Sequence, residues 1–118
     1  MSDSRPDRVT DMLPLTHLSF HIMLAMRGGP LHGYAISKQV ADLSAGRLTP
    51  GTGTFYSALQ RMLEEEVIEE VDRPADAESG DARRRYYALT SLGREVLTAE
   101  GLRLRELLRH DAFEAPAG

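Results

Sequence analysis

Side chains that can bond to nucleic acid are concentrated in residues 49–63, TPGTGTFYSALQRML. Pro50 and Gly51 break the preceding segment, and Thr52 or Thr54 is expected to cap a helix that begins there. At the helical period, the apolar residues of this segment share one side: Phe55, Ala58, Leu59 and Met62. That side is predicted to pack against the protein, which leaves the opposite side to solvent or to a ligand.

The hydrophilic side of the same helix, with its flanks, carries groups suited to DNA: Thr54, Tyr56, Ser57, Gln60 and Arg61. Hydroxyl, amide and guanidinium groups bond phosphate oxygens and base edges in a major groove. An ordinary solvated helix carries the same residue types, and the position directly after a short turn is what favours a DNA-facing role. Arg61 is the strongest candidate, because a guanidinium can bind guanine or phosphate through two bonds.

Basic residues elsewhere in the chain extend this candidate DNA-binding surface. They are Lys38 and the run Arg83, Arg84 and Arg85. Because successive residues of a strand point to opposite faces, the three arginines cannot all face DNA, and at least one is expected to reach a minor-groove phosphate. His32 and Tyr34 are candidate contacts to the DNA backbone, although Tyr34 is equally expected to pack between two helices.

The residue types give less support to metal binding or catalysis. His17 and His21 are four residues apart on a predicted helix and could chelate a metal, but no third ligand accompanies them, so ordinary surface histidines are the favoured interpretation. The chain has no cysteine, no glycine-rich phosphate loop after a strand and no converging serine, histidine and acid set. Neither a catalytic site nor a bound cofactor is expected, and the chain is predicted not to be an enzyme.

Length and composition restrict the class of protein. The 118 residues suffice for one domain with an appended helix, and 42% hydrophobic and 27% charged residues are ordinary globular values. No apolar run reaches the length of a membrane span, and the N-terminal residues lack the apolar core of a signal peptide, so a cytoplasmic location is expected. The net charge of -4 argues against indiscriminate binding of nucleic acid, but acids cluster over 64–81 whereas 27–63 is basic.

The first half of the chain predicts three helices after a flexible tail over residues 1–12. Pro14 is expected in the first turn of helix one. The apolar positions of that helix are Leu15, Leu18, Ile22, Met23 and Met26. Helix two is predicted over 31–43, with packing positions at Tyr34, Ile36, Val40 and Leu43. The segment 49–63 supplies helix three.

The second half predicts a hairpin and a last helix. Runs of β-branched and aromatic residues at 67–71 and 84–89 flank a polar tip. A C-terminal helix is expected over 91–111, followed by a flexible tail over 112–118. Residues 13–90 would then form a winged helix-turn-helix domain, mainly α with a small β-hairpin, and the last helix would be a dimerisation helix. Its expected dimer contacts are Leu97, Leu104, Leu107 and Leu108.

Three stretches together resemble the PadR-like family of transcriptional regulators. They are GGPLHGYAI, ending at Ile36, GTFYSALQRMLEEEVIEE, beginning at Gly53, and RRRYYALTSLGREVL, beginning at Arg83. In that family the HGY box opens the second helix, the Gly-Thr-aromatic-Tyr segment starts the recognition helix, and the arginine-rich strand closes the wing. The resemblance implies a homodimeric, DNA-binding repressor that responds to a small aromatic or lipophilic effector.

Two departures from the family pattern bear on the structure. Glu66 stands where the family usually has glycine, at a site that favours left-handed backbone, so a cost of about 1 kcal/mol is expected there. The chain also lacks tryptophan, which excludes a pocket lined by that residue.

The predicted function is therefore a homodimer whose recognition helices enter successive major grooves of a pseudo-palindromic operator, with half-sites about one helical turn apart. Two alternatives stay open at this point. One is a winged-helix module that binds protein through its acidic hairpin and does not bind DNA. The other is a metal-responsive repressor.

Overall fold

The computed structural model describes residues 5–75 and 84–113. The elements along these residues are α1 Arg5–Asp11, α2 His17–Ala25, β1 Leu31–His32, α3 Gly33–Leu43, α4 Thr52–Glu64, β2 Ile68–Val71, β3 Tyr86–Leu89 and α5 Ser91–Leu108. A short 3-10 helix, Asp111–Phe113, follows α5. None of the helices in these residues is long and apolar enough to cross a membrane.

The core is built where α2, α3 and α4 meet the sheet and the start of α5. The predicted packing side of α4 is confirmed, because Phe55, Ala58, Leu59 and Met62 are all buried. They join one apolar cluster with Ile22 and Met23 of α2 and with Ile36 and Val40 of α3. Burying a side chain of this size contributes about 1.5–3 kcal/mol, so the cluster holds α4 with its other side outward.

The starts of α4 and α2 show which residues cap the helices. Neither Thr52 nor Thr54 is the cap of α4, contrary to the prediction, because the N-cap is Gly51 and makes no side-chain bond. The first amides of α4 therefore have no side-chain acceptor at the N-cap position. In α2, Thr16 accepts a hydrogen bond from the amide of Ser19 at 3.1 Å.

Residues 1–12 were expected to form a flexible tail, and this is wrong for most of them. Residues 5–11 form α1, which packs against α5. The physical reason is that Val9 and Met12 lie against the core cluster, and two such positions are too few to produce a helical period in the sequence. Pro14 was predicted in the first turn of a helix, and this is wrong because it lies in the link between α1 and α2.

The predicted hairpin is confirmed, but it belongs to a three-stranded antiparallel sheet in the order β1-β3-β2. β2 pairs with β3 so that Ile68 faces Leu89 and Val71 faces Tyr86. The added strand, β1, places Leu31 opposite Tyr87. Helix two was predicted to begin at residue 31, and this is wrong because two residues pair with the wing before α3 starts. Two residues are too few to show the alternation of a strand.

A tight joint connects α4, β2 and α5. Glu66 adopts a left-handed φ of 64°, which confirms the conformation predicted from its position. Thr90 holds the joint from the other side, since its hydroxyl donates to the carbonyl of Glu66 at 2.6 Å and its amide donates to the carbonyl of Val67 at 3.1 Å. A Cβ added to Gly93 would lie 1.9 Å from the carbonyl oxygen of Val67. Only glycine fits there, because the obstructing atom is backbone.

Glu100 anchors the link between α1 and α2 to α5. The residue is 2% exposed, and its Oε2 accepts the amide of Leu15 at 2.8 Å. Nη2 of Arg103 also donates to Oε2, at 3.2 Å. The hydrogen bonds from Arg103 lower the pKa of Glu100 from 4.5, against the opposing effect of burial, and the Leu15 amide adds to the lowering. The carboxylate is thus the form that the folded chain stabilises.

Candidate nucleic-acid interface

The hydrophilic side of α4 is exposed along its length. All five of its predicted DNA contacts are solvent-accessible: Thr54, Tyr56, Ser57, Gln60 and Arg61. The packing of the opposite side into the core accounts for this orientation, since α4 is held by α2 and β2 from behind. The exposure predicted for this side is confirmed, whereas the contacts with DNA stay a prediction.

On one flank of α4, Arg61 is tied to the body of the protein. Its Nη2 donates to Oγ of Ser19 in α2 at 3.3 Å. A shallow depression between α2 and α4 runs beside it, lined also by Thr16, Thr54 and Ser57. Arg61 lies in the last turn of α4, away from the arginines of the wing. The structure therefore does not bring together the strongest predicted contact and the rest of the basic residues.

On the other flank, Tyr56 crosses the start of α3. Its hydroxyl would lie 2.6 Å from a Cβ added to Gly33, so the ring rests directly against the backbone there. Between Tyr56 and the wing is an open cleft of about 520 Å³, which we call the α3–wing groove. It is lined by His32, Gly33, Tyr34, Tyr56, Arg84, Arg85 and Tyr87.

Tyr34 lies on the outer wall of this groove and is 62% exposed. Its predicted packing position between helices is wrong, because β1 turns the first residues of α3 toward the wing, while Ile36 and Val40 fill the core. Two cations flank the ring: Lys38 Nζ is 5.8 Å and Arg84 Cζ is 5.9 Å from its centroid. These distances permit cation–π attraction, which favours keeping both cations beside the groove.

The wing arginines reach two different neighbours. Nη1 of Arg84 is 2.7 Å from Nε2 of His32, which joins the wing to the start of α3. Nε of Arg85 is 3.7 Å from Oε1 of Glu70 in β2, an exposed ion pair that contributes little stability. Arg83 lies outside the described residues.

The phenol of Tyr87 lines the floor of the groove. Burial raises the pKa of Tyr87 above 10.0, the charge of Glu70 raises it further and Arg85 opposes the rise. The hydroxyl therefore keeps its proton at neutral pH and can donate a hydrogen bond to an anion.

Within the part of the chain that the structure describes, the paired histidines of α2 have no third metal ligand beside them. The rings of His17 and His21 are 4.4 Å apart, and Nδ1 of His21 is 2.8 Å from the carbonyl oxygen of His17. That backbone contact occupies one ring nitrogen. Among residues 5–75 and 84–113, no group of three or more histidines, cysteines or acids could hold a metal ion.

The candidate dimer contacts on α5 fall into two classes. Leu97 is partly buried against the core of its own chain, and Leu104 is also only partly exposed. Leu107 and Leu108 are 53% and 62% exposed. Leu102, a further exposed leucine at 56%, lies on the opposite side of the helix from Leu104.

Sequence reasoning also missed the contact between His32 and Arg84. The two residues are far apart in the chain and meet because β1 pairs with β3. The HGY box contains this histidine, but its sequence context indicates only a candidate DNA contact.

A helix-turn-helix of α2, α3 and α4, followed by an antiparallel wing, defines a winged-helix protein of the class that binds duplex DNA. Residues 22–99 match the model of the transcriptional regulator PadR-like family. The chain belongs to this family. Its members are transcription regulators and not enzymes, which agrees with the class predicted from the sequence.

Similar proteins include relatives and solved structures from several bacteria. A 37.1 kDa protein in transposon TN4556 of Streptomyces fradiae is 39% identical over 79 residues, which are 67% of this chain and 20% of that protein. This chain thus spans about a fifth of the length of that relative. Protein X of Lysinibacillus sphaericus is 30% identical over 82 residues, which are 70% of this chain and 72% of that protein.

Two solved structures show the same fold. A PadR family transcription regulator from Clostridium difficile R20291 has a TM-score of 0.66 at 27% identity, covering 79% of this chain and 92% of that chain. Bacillus subtilis PadR, solved in complex with operator DNA, has a TM-score of 0.55 at 21% identity, covering 89% of this chain and 53% of that chain.

Proposed function

We propose that this chain is a sequence-specific, homodimeric repressor that binds operator DNA through α4 and the α3–wing groove and is released by a small aromatic or lipophilic effector. The observation that carries the proposal is the exposed hydrophilic side of α4, which continues across Tyr56 into a groove containing Arg84 and Arg85. Phosphate contacts position a protein on DNA, whereas contacts to base edges select the sequence. The groove supplies the first kind of contact and α4 the second.

Charge separation within the domain supports this division of roles. Lys38, Arg84 and Arg85 lie on or beside the groove, whereas the exposed acids Glu64 and Glu65 lie at the far end of α4. Phosphates would approach the basic side and be repelled from the acidic one, which sets the direction in which the helix enters the major groove. The Bacillus subtilis PadR complex with operator DNA provides a fold-level parallel.

The homodimer is supported by the accessible leucines near the end of α5, Leu107 and Leu108, which share a side of the helix with Leu104. Exposed leucines on one terminal helix favour burial against an equivalent helix, because removing apolar surface from water contributes about 25 cal/mol per Å². Two copies related by a twofold axis would present two α4 helices to half-sites about one helical turn apart.

Fluorescence anisotropy with labelled duplexes from upstream of the gene tests the DNA-binding role. The parent is expected to bind one duplex selectively, with affinity that falls steeply as salt rises. Arg61→Ala should weaken that complex and relax its sequence preference, whereas Arg84→Ala should weaken binding to all duplexes and reduce the salt slope by about one unit. Arg105→Ala on α5 is the matched control, since it removes an equal charge elsewhere.

If both variants bind like the Arg105→Ala control, the assigned contacts are wrong. If the parent binds no duplex, a protein-binding module becomes the better account. Metal retained by the purified protein, with DNA binding that depends on it, would favour the metal-responsive alternative.

Sedimentation of the parent and of a variant with Leu107→Glu and Leu108→Glu tests the dimer. Both side chains are exposed, so the substitutions should yield folded monomers, with unchanged helical content by circular dichroism. A parent that sediments as a monomer would contradict this part of the proposal.

A further inference from the structure

The floor of the α3–wing groove holds a phenol that has no hydrogen-bond partner within the described part of the chain. Tyr87 is only 7% exposed, yet its side chain lines the groove. Among residues 5–75 and 84–113, no fully enclosed side-chain polar atom lacks a partner, so the Tyr87 hydroxyl opens onto the groove. Buried polar groups normally have partners, and one that opens onto a cleft is available to a ligand.

The charges beside this phenol favour an anion as that ligand. Arg85, two residues before Tyr87, also lines the groove, and its Nε is 3.7 Å from Oε1 of Glu70. Glu70 lies opposite Tyr87 on β2 and would repel an anion, but Arg85 offsets its charge. Arg84 lies over the face of the His32 ring, with Nη1 2.7 Å from Nε2 and 3.4 Å from Nδ1.

The start of α3 adds positive potential to the same groove. Gly33 and Tyr34 line it at the N-terminal end of the helix, where the helix dipole is positive. The hydroxyl of Tyr56 rests against Gly33. Donors thus reach the groove from the sheet, the wing and α3. Arginine, tyrosine and helix N-termini are the groups that proteins use to bind phosphate oxygens of DNA.

We propose that the floor of the α3–wing groove is a site for one phosphate group, to which the Tyr87 hydroxyl donates with Arg84 and Arg85 beside it. An exposed ion pair and a ring face are weaker partners for a guanidinium than a phosphate, so both arginines can turn to the anion. The expected occupant is a phosphate of the DNA backbone, and to that extent the inference rests on the proposed function. Inorganic phosphate offers the same oxygens as a free anion.

Titration with inorganic phosphate tests the site without DNA. Amide NMR spectra of the parent near neutral pH and at constant ionic strength, with sodium chloride as the reference titrant, should show saturable shifts at Gly33, Tyr34 and Tyr87. Tyr87→Phe should weaken this binding by about tenfold, the size expected for a hydrogen bond to a charged group. Tyr86→Phe is the matched control, because this neighbouring tyrosine is also buried but packs edge-on against His32.

The same variants test the DNA backbone as the occupant. Tyr87→Phe should weaken binding to every duplex by about tenfold and leave the salt slope unchanged, because it removes a hydrogen bond and no charge. Arg84→Ala should instead reduce the slope by about one unit. The ring is retained in Tyr87→Phe and the lost hydroxyl has no partner among the described residues, so its melting temperature should match that of the parent.

A neutral methylphosphonate, placed at one backbone position of the duplex at a time, locates the phosphate that enters the groove. One position in each half-site should weaken binding of the parent more than it weakens binding of Tyr87→Phe, as expected for two groups in contact. Equal losses in the two proteins at every position would contradict a backbone phosphate at Tyr87.

The two arms separate the sources of the phosphate. Duplex binding that depends on Tyr87 without saturable phosphate shifts supports a site for the DNA backbone alone. Phosphate shifts that depend on Tyr87 with parent-like duplex binding support a site for free anions and contradict the DNA occupant. Parent-like binding of both by Tyr87→Phe, or an equal loss in Tyr86→Phe, would overturn the proposal. If the parent binds no duplex, the proposed function fails, while the phosphate titration still decides the site.

Discussion

Two glycines make close contacts in different parts of the molecule, and the atoms they meet differ in kind. Gly93, at the start of α5, faces the backbone carbonyl of Val67, whereas Gly33, at the start of α3, faces the far end of the Tyr56 side chain. The Val67 carbonyl is part of the backbone and accepts the amide of Thr90, so it cannot move aside, but a tyrosine that is 46% exposed can. The packed side of α5 is therefore rigid, while the α3–wing groove can adjust to a ligand.

The most severe effect is expected at Gly93. Gly93→Ala places a methyl group 1.9 Å from the Val67 oxygen, so α5 or β2 must shift, and the free energy of unfolding should fall by about 3 kcal/mol or more. Chemical denaturation measures this loss. Gly101→Ala is the control, because its Cβ meets nothing within 4 Å and the helix should gain up to about 1 kcal/mol. Equal stabilities for the two variants would contradict the contrast between rigid and adjustable regions.

The second effect concerns Glu100 on the same packed side. Because the folded state lowers the pKa of this carboxyl, its contribution to stability is present above the unfolded value near 4.5 and is lost as pH falls through the folded value. Glu100→Gln should cost about 1–2 kcal/mol at neutral pH, and the difference from the parent should shrink below pH 4.5. Thermal unfolding of both proteins across this range measures the change. A difference that does not vary with pH would show that the charge is unimportant.

The third effect, expected for Gly33→Ala, is a small change in the free energy of unfolding with a larger change in DNA affinity. Gly33→Ala should push the hydroxyl of Tyr56 outward at a cost below about 1 kcal/mol, because the obstructing group is mobile. The displaced ring narrows the α3–wing groove, so duplex binding should weaken by about tenfold. Tyr56→Phe with Gly33→Ala removes the obstructing oxygen and should restore part of the affinity. A stability loss as large as that of Gly93→Ala would mean that the groove is as rigid as the joint.

Sequence alone predicted the features that depend on local periodicity and backbone chemistry. The two sides of α4 followed from the spacing of Phe55 and Met62. The left-handed conformation of Glu66 followed from the resemblance to the PadR-like family, which usually has glycine at that position. The hairpin followed from its β-branched and aromatic runs.

Features that depend on distant pairing were not predictable in the same way. β1 is only two residues long, yet its pairing with β3 turns Tyr34 outward and brings His32 to Arg84. α1 is held by contacts with α5, and the local sequence pattern does not predict these contacts. The hydrogen bond from Arg61 to Ser19 likewise arises between two helices whose relative placement is set by the core.

Amide chemical-shift mapping during titration with a selected duplex tests the central claim most directly, namely that α4 and the α3–wing groove form the DNA-binding surface. The account predicts that the largest changes occur at the start of α4, at Tyr34 and Lys38 of α3 and at Arg84 of the wing, while the packed side of α5 around Gly93 changes little. Changes centred on Glu69 and Glu70 of β2, with α4 unaffected, would contradict it.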